Sequence, residues 1–159
     1  MQVSMAQIQE KIPTSCHYDP LRWAPHDWSG SHLEILDEEN IPIPDRIFIV
    51  FHLISESLQR RYALTCVGIY QESFSVTDPH IIDAVSVCED YLSGSKQLDD
   101  LTAARSSALS VSKETQNQGL FITAKAVARA CAVPVVLPHI DPSCMEQLLQ
   151  ALYDLTADL

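Results

Sequence analysis

The chain has 159 residues, 47% hydrophobic and 19% charged, which is enough apolar material for one buried core and argues against wholesale disorder. Ten cations stand against 21 acids, a net charge of −11, and the cations are scattered rather than gathered in a stripe, which disfavours direct nucleic-acid binding. The longest apolar run, Ile47 to Ile54, is interrupted by His52 and is far too short to cross a membrane.

Residues 1–44 hold five of the nine prolines, with Trp23 and Trp28 among them, and carry two cations against seven acids. Proline blocks long helices and tryptophan favours burial. This part reads as an extended N-terminal arm, with at most one helical turn, packed on the body. The run Asp37-Glu38-Glu39 is placed in a solvated loop.

Residues 45–159 read as a helical domain, and the scarcity of glycine, 4 in all, argues against a turn-rich sandwich or barrel. The first helix starts at Asp45, a good cap after Pro44. Its β-branched run Ile47 to Phe51 leaves a strand open as the alternative. The next helix runs from Leu58 to about Phe74 with Ser57 as candidate cap, and Tyr62, Cys66, Ile69 and Tyr70 share one face. The clearest helix opens at Asp78-Pro79, lines up Ile81, Val85, Cys88 and Leu92, and stops at Gly94. A fourth spans Asp99 or Asp100 to about Thr115, with Leu101, Ala104, Ala108 and Val111 as its stripe. Gln116 to Gly119 is a turn. A fifth runs from Leu120 to about Ala132, alanine-rich and able to pack closely on the fourth, and Pro134 ends it. The last starts at Asp141-Pro142 and carries a wide stripe of Met145, Leu148, Leu149, Leu152 and Leu155. That stripe closes the core or forms a homodimer, and core closure is the commoner outcome. The expected fold is all-α: one bundle of about five or six helices with a Pro/Trp-containing arm.

The five cysteines are odd in number and none stands in a C-x-x-C spacing, so neither a disulfide framework nor a zinc site is indicated. The N-terminus lacks a basic region followed by an apolar core, so no signal peptide is expected and the cytoplasm is the expected location. His26, Asp27 and His32, with Cys16 or His17, form the densest group of metal-ligand types. They have no spacing that puts two ligands on one helix turn, and no metal or other cofactor is expected. Cys66, Cys88 and Cys131 occupy apolar positions and read as small hydrophobes. Cys144 falls in the first turn of the last helix, where the dipole lowers a thiol pKa, so it is the candidate reactive thiol, with His139 five residues before it. His52 reads as a hydrogen-bonded core residue. No nucleophile elbow, P-loop or dinucleotide fingerprint is present. Arg105 and Arg129 sit in alanine-rich stretches, where each either reaches a carboxylate such as Glu89 or lies solvated with its stem over apolar surface.

Three stretches carry a family resemblance: Arg60-Arg61-Tyr62-Ala63-Leu64-Thr65-Cys66, then Ala84-Val85-Ser86-Val87-Cys88-Glu89-Asp90-Tyr91-Leu92-Ser93-Gly94, then Leu101-Thr102-Ala103-Ala104-Arg105. With the alanine-rich segment Ala124 to Cys131, they resemble the helical domain of bacterial immunity proteins of the Imm-5 type, over about residues 58–132. Arg129 to Pro134 reads Arg-Ala-Cys-Ala-Val-Pro where that family usually carries a histidine. The resemblance implies a non-enzymatic protein that binds and blocks a toxin. An acidic surface suits a basic partner of that kind. Asp37, Glu38 and Glu39 are the candidate partner-binding residues on physical grounds. The alternatives are a self-associating scaffold module and a metal- or thiol-dependent enzyme.

Overall fold

In the computed structural model, which describes residues 1–12, 22 and 25–159, a two-stranded ribbon opens the fold. Strand β1 (Gln2–Ser4) pairs antiparallel with β2 (Ser29–Ser31), in the register Gln2 to Ser31, Val3 to Gly30 and Ser4 to Ser29. Each strand leads directly into a short helix, α1 (Met5–Lys11) and α2 (His32–Asp37). Both helices start on reciprocal caps. Gln7 N–H donates to Ser4 Oγ at 3.3 Å while Ser4 N–H donates to Gln7 Oε1 at 2.8 Å. Ser31 N–H likewise donates to Glu34 Oε1 at 3.1 Å. The caps satisfy backbone groups that a short helix would otherwise leave open. Met5, Ile8, Ile35, Leu36 and Ile41 are buried. The segment expected as an extended arm thus supplies two helices and part of the core wherever it is described. Pro13, Pro20 and Trp23 lie outside the described residues.

Six longer helices follow: α3 (Ile43–Leu53), α4 (Glu56–Ser73), α5 (Pro79–Leu92), α6 (Leu98–Glu114), α7 (Gln118–Ala130) and α8 (Met145–Thr156). The fold is mostly all-α and forms one unit. Among the described residues it has eight α-helices, and the excess over five or six comes from α1 and α2. Helix α3 starts before Asp45, with Pro42 at its cap and Pro44 in its first turn, so Asp45 lies inside the helix rather than capping it. Ile47, Ile49, Val50 and Phe51 are all buried along it, which a half-exposed strand would not allow. The cap of α4 is Ser55, not Ser57: Leu58 N–H donates to Ser55 Oγ at 3.4 Å.

The start of α5 follows from Asp78, whose Oδ1 accepts from His80 N–H at 2.9 Å and Ile81 N–H at 3.3 Å. Gly94, at φ 84°, ends the segment in a left-handed conformation that costs glycine nothing. Helix α7 begins at Gln118, inside the expected turn, because Asn117 Oδ1 accepts from Leu120 N–H at 2.9 Å. At Gly119 the backbone rides directly over Phe74. A Cβ there would stand 2.6 Å from the Phe74 Cβ.

The helices touch in a continuous row: α5 on α6, α6 on α7, α7 on α4, α4 on α8 and α8 on α3, with α1 and α2 against α3. Small residues line the α6–α7 seam, where Ala104, Ala108, Ala124 and Ala128 are buried. Helix α8 follows a 3₁₀ turn, Pro142–Cys144, started by Asp141. Leu148 and Leu152 are fully buried, so the α8 stripe closes the core. Tyr62 fixes it by donating to the Leu148 carbonyl at 3.0 Å. Buried His32 ties the N-terminal part to the end of α8: its ring nitrogens face the Met1 carbonyl at 3.1 Å and the Thr156 carbonyl at 3.0 Å. No helix among the described residues is long and apolar enough to cross a membrane.

Candidate functional site

Two groups of cations flank the C-terminal half of α7, and they differ in how completely they are partnered. The first is Arg60 of α4, only 2% exposed. Its Nη1 donates to the Ala130 carbonyl at 2.6 Å and the Ala132 carbonyl at 3.0 Å, just where α7 runs out of intrahelical donors. Its Nη2 meets Glu56 Oε1 at 2.9 Å, and its guanidinium lies 5.2 Å from the centre of the Tyr91 ring. Two thiols stand beside it. Cys88 donates to the same Ala130 carbonyl at 3.6 Å. The Cys131 thiol, hydrogen-bonded to Cys88, pushes the Cys88 pKa down; burial opposes this and the Arg60 charge assists it. The pKa of Cys131 moves up in consequence. Both thiols are shut off from solvent. This group joins α4, α5 and the end of α7, and its polar atoms are matched internally.

The second group lines a cleft of about 190 Å³ between α6 and α7. Arg105 comes from α6, and Lys125 and Arg129 come from successive turns of α7, over an apolar wall that includes Leu109, Ala128 and Val136. Arg129 Nη1 donates to the Leu137 carbonyl at 2.8 Å, which holds the guanidinium in place. Arg105 and Lys125 have no hydrogen-bond or ion-pair partner among the described residues. Neither Arg105 nor Arg129 pairs with Glu89. A shallower cleft of about 260 Å³ on the other flank of α6 is bordered by His80, Asp83 and Asp100.

The sequence-derived candidates fall in different places. Asp37 and Glu39 are exposed at and just past the end of α2. Glu38 is half-buried and committed to its own turn: its Oε1 accepts from Asn40 N–H at 3.0 Å and Asn40 Nδ2 at 2.8 Å. Cys144 is only 3% exposed, and its sulfur lies 3.6 Å from Ser73 Oγ and from Ser143 Oγ, so the thiol is held inside the fold. The His139 carbonyl accepts from the Tyr70 hydroxyl, which in turn accepts from Asp141 N–H at 3.0 Å. Of the metal-ligand types in the N-terminal part, His26 and Asp27 are exposed, whereas the ring of His32 is engaged by two carbonyls. Cys16 and His17 lie outside the described residues. Among the described residues no three His, Cys, Asp or Glu side chains converge as a metal site would require. His52, in α3, donates to the Phe48 carbonyl across 2.8 Å, and burial lowers its pKa.

Carboxylates are distributed very differently from cations. Among the described residues Glu56–Arg60 is the one ion pair. Arg46 is turned onto the carbonyls of Ile41, at 2.6 Å, and Leu36, at 3.1 Å. Among the described residues the acidic side chains other than Glu56 form no ion pair, and most of them are exposed. Arg60 was legible as a core residue, since it stands at helical spacing before Ala63, Val67 and Tyr70, all buried on one face of α4. The convergence of Arg105 with Lys125 and Arg129 had no such signal beyond the four-residue spacing of the last two. No family model, curated protein or solved structure matches the chain.

Proposed function

We propose that the chain is a non-enzymatic protein-binding domain of the immunity or inhibitor kind, with a basic protein such as a toxin as its partner. The observation that carries this reading is the set of exposed carboxylates without internal counter-charges: one ion pair among the described residues, in a chain of net charge −11. Such a surface creates a negative potential that speeds encounter with a cationic protein and repels nucleic acid. Asp37 and Glu39, side by side with the turn that Glu38 braces, are the first contacts to test. The resemblance over residues 58–132 points the same way. The cytoplasm, as a reducing compartment, suits the free thiols of Cys66, Cys88, Cys131 and Cys144. Self-association through α8 has less in its favour, because the centre of that stripe is occupied by the chain's own core.

The test is capture of partners on the immobilised chain at low and at moderate salt, beside a variant carrying Asp37→Asn and Glu39→Gln. The reading expects a basic protein whose retention falls with salt and falls again in the variant. Retention of no basic protein at low salt, or equal retention by both chains, overturns it. Light scattering on the same samples reports any homodimer separately.

A further inference from the structure

We infer that the α6–α7 cleft is a binding site for a small phosphate monoester with an apolar body. The charge pattern is the first reason. Three of the chain's ten cations, Arg105, Lys125 and Arg129, border one cavity, and no carboxylate of the described residues borders it. Lys125 and Arg129 are four residues apart on one face of α7, so they repel each other, and Arg105 adds a third like charge from α6. Elsewhere in the fold Arg46 and Arg60 face carbonyls or Glu56. In the cleft, Arg105 and Lys125 have no hydrogen-bond or ion-pair partner among the described residues. A bound anion offsets this repulsion.

Chemistry selects the class. A carboxylate brings one charge and matches one guanidinium fork. Three cations arriving from two helices match a dianion with three acceptor oxygens, in which a lysine serves as a point charge and arginine as a planar donor set. Arg129 is already held by the Leu137 carbonyl, so its remaining N–H groups are presented at little entropic cost. The wall of Leu109, Ala128 and Val136 gives an apolar body somewhere to lie, and Val136 is otherwise an exposed apolar side chain. The size of the cavity, about 190 Å³, suits a small molecule rather than a polymer. The site lies on α6 and α7, away from Asp37 and Glu39, and does not depend on the protein-binding reading.

The experiment is a calorimetric and thermal-shift titration of the full chain at constant ionic strength. The probes are inorganic phosphate, phenyl phosphate and benzoate. Phenyl phosphate is expected to bind saturably and raise Tm, inorganic phosphate to bind more weakly, and benzoate weakest of all. Lys125→Met and Arg105→Gln are each expected to weaken phenyl phosphate about tenfold, the loss of one charge-assisted contact. Lys113→Gln, an exposed cation at the end of α6 outside the cleft, is expected to leave binding unchanged. Undiminished binding in both cleft variants overturns the site. An equal loss in Lys113→Gln overturns it too, since it marks a general charge effect. Benzoate binding as tightly as phenyl phosphate overturns the phosphate class.

Discussion

Arg60 and Arg105 are the same residue type on neighbouring parts of one bundle, and they are treated in opposite ways. Arg60 is buried, and its donors close the open carbonyls at the end of α7 and meet Glu56. Arg105 borders a cavity with Lys125 and Arg129 and has no hydrogen-bond or ion-pair partner among the described residues. A buried charge persists only when its donors are matched, so its role is to hold the fold. A charge at a cavity edge keeps its hydration and its donors, so it is free to bind. Partnering, rather than residue type, separates the structural cation from the available one.

The comparison is broken most sharply on the buried side. Arg60→Met removes the donors from the Ala130 and Ala132 carbonyls, and is expected to cost about 3 kcal/mol in denaturant unfolding. A loss below about 1 kcal/mol would make Arg60 dispensable, as expected only for a surface arginine.

The same interior is expected to lose stability at alkaline pH. Burial raises the Cys66 thiol from 9.0 to about 12, and that of the Tyr70 hydroxyl to about 12 as well. The unfolded chain releases the thiol proton first, so stability is full below pH 9.0 and falls as pH rises towards about 12. The loss should be on the order of 2 kcal/mol by about pH 10.5, and Cys66→Ala should flatten the slope in a pH series of unfolding curves.

Gly119→Ala probes α7, which both groups share. The new methyl would meet the Phe74 side chain at 2.6 Å, and overpacking of this kind costs about 1–3 kcal/mol. Because Arg129 and Lys125 ride on α7, displacement of the helix should also weaken the cleft's affinity for phenyl phosphate, which calorimetry would report.

Glu56→Gln sharpens the comparison from the exposed end of the Arg60 pair. Glu56 is 55% exposed, so its loss should cost at most about 1 kcal/mol, well below Arg60→Met. Smallest of all, Arg105→Gln should leave unfolding stability within about 0.5 kcal/mol of the parent while altering anion binding.

Much of this architecture was legible in the sequence because its signals are local. Asp78-Pro79 and Gly94 bracket α5, and Asp141-Pro142 opens the last segment, through caps that need only the next few residues. Local signals also existed where the fold was read as an arm: Ser4 with Gln7 and Ser31 with Glu34 are capping boxes, obscured by the surrounding prolines. A proline-rich neighbourhood disfavours long helices, but it leaves helices of six or seven residues untouched. The burial of Cys144 was not legible for a different reason. Helix-end position sets the field on a thiol but not its burial, which depends on packing against distant elements such as α4, where Ser73 lies 3.6 Å from the sulfur and 71 residues away in the chain. The cleft is the least legible feature, since Arg105 joins Lys125 and Arg129 only when α6 packs on α7.

One measurement bears most directly on the distinction between held and available cations: the NMR signals of the arginine Nε–H groups, followed while phenyl phosphate is added to the full chain. The Arg60 signal should be protected from exchange with water and stay in place. Arg105 should exchange quickly with water and move along a saturating curve. An Arg105 signal that stays fixed, or one that moves equally with added chloride, would contradict the account, as would an Arg60 signal that shifts with the ligand.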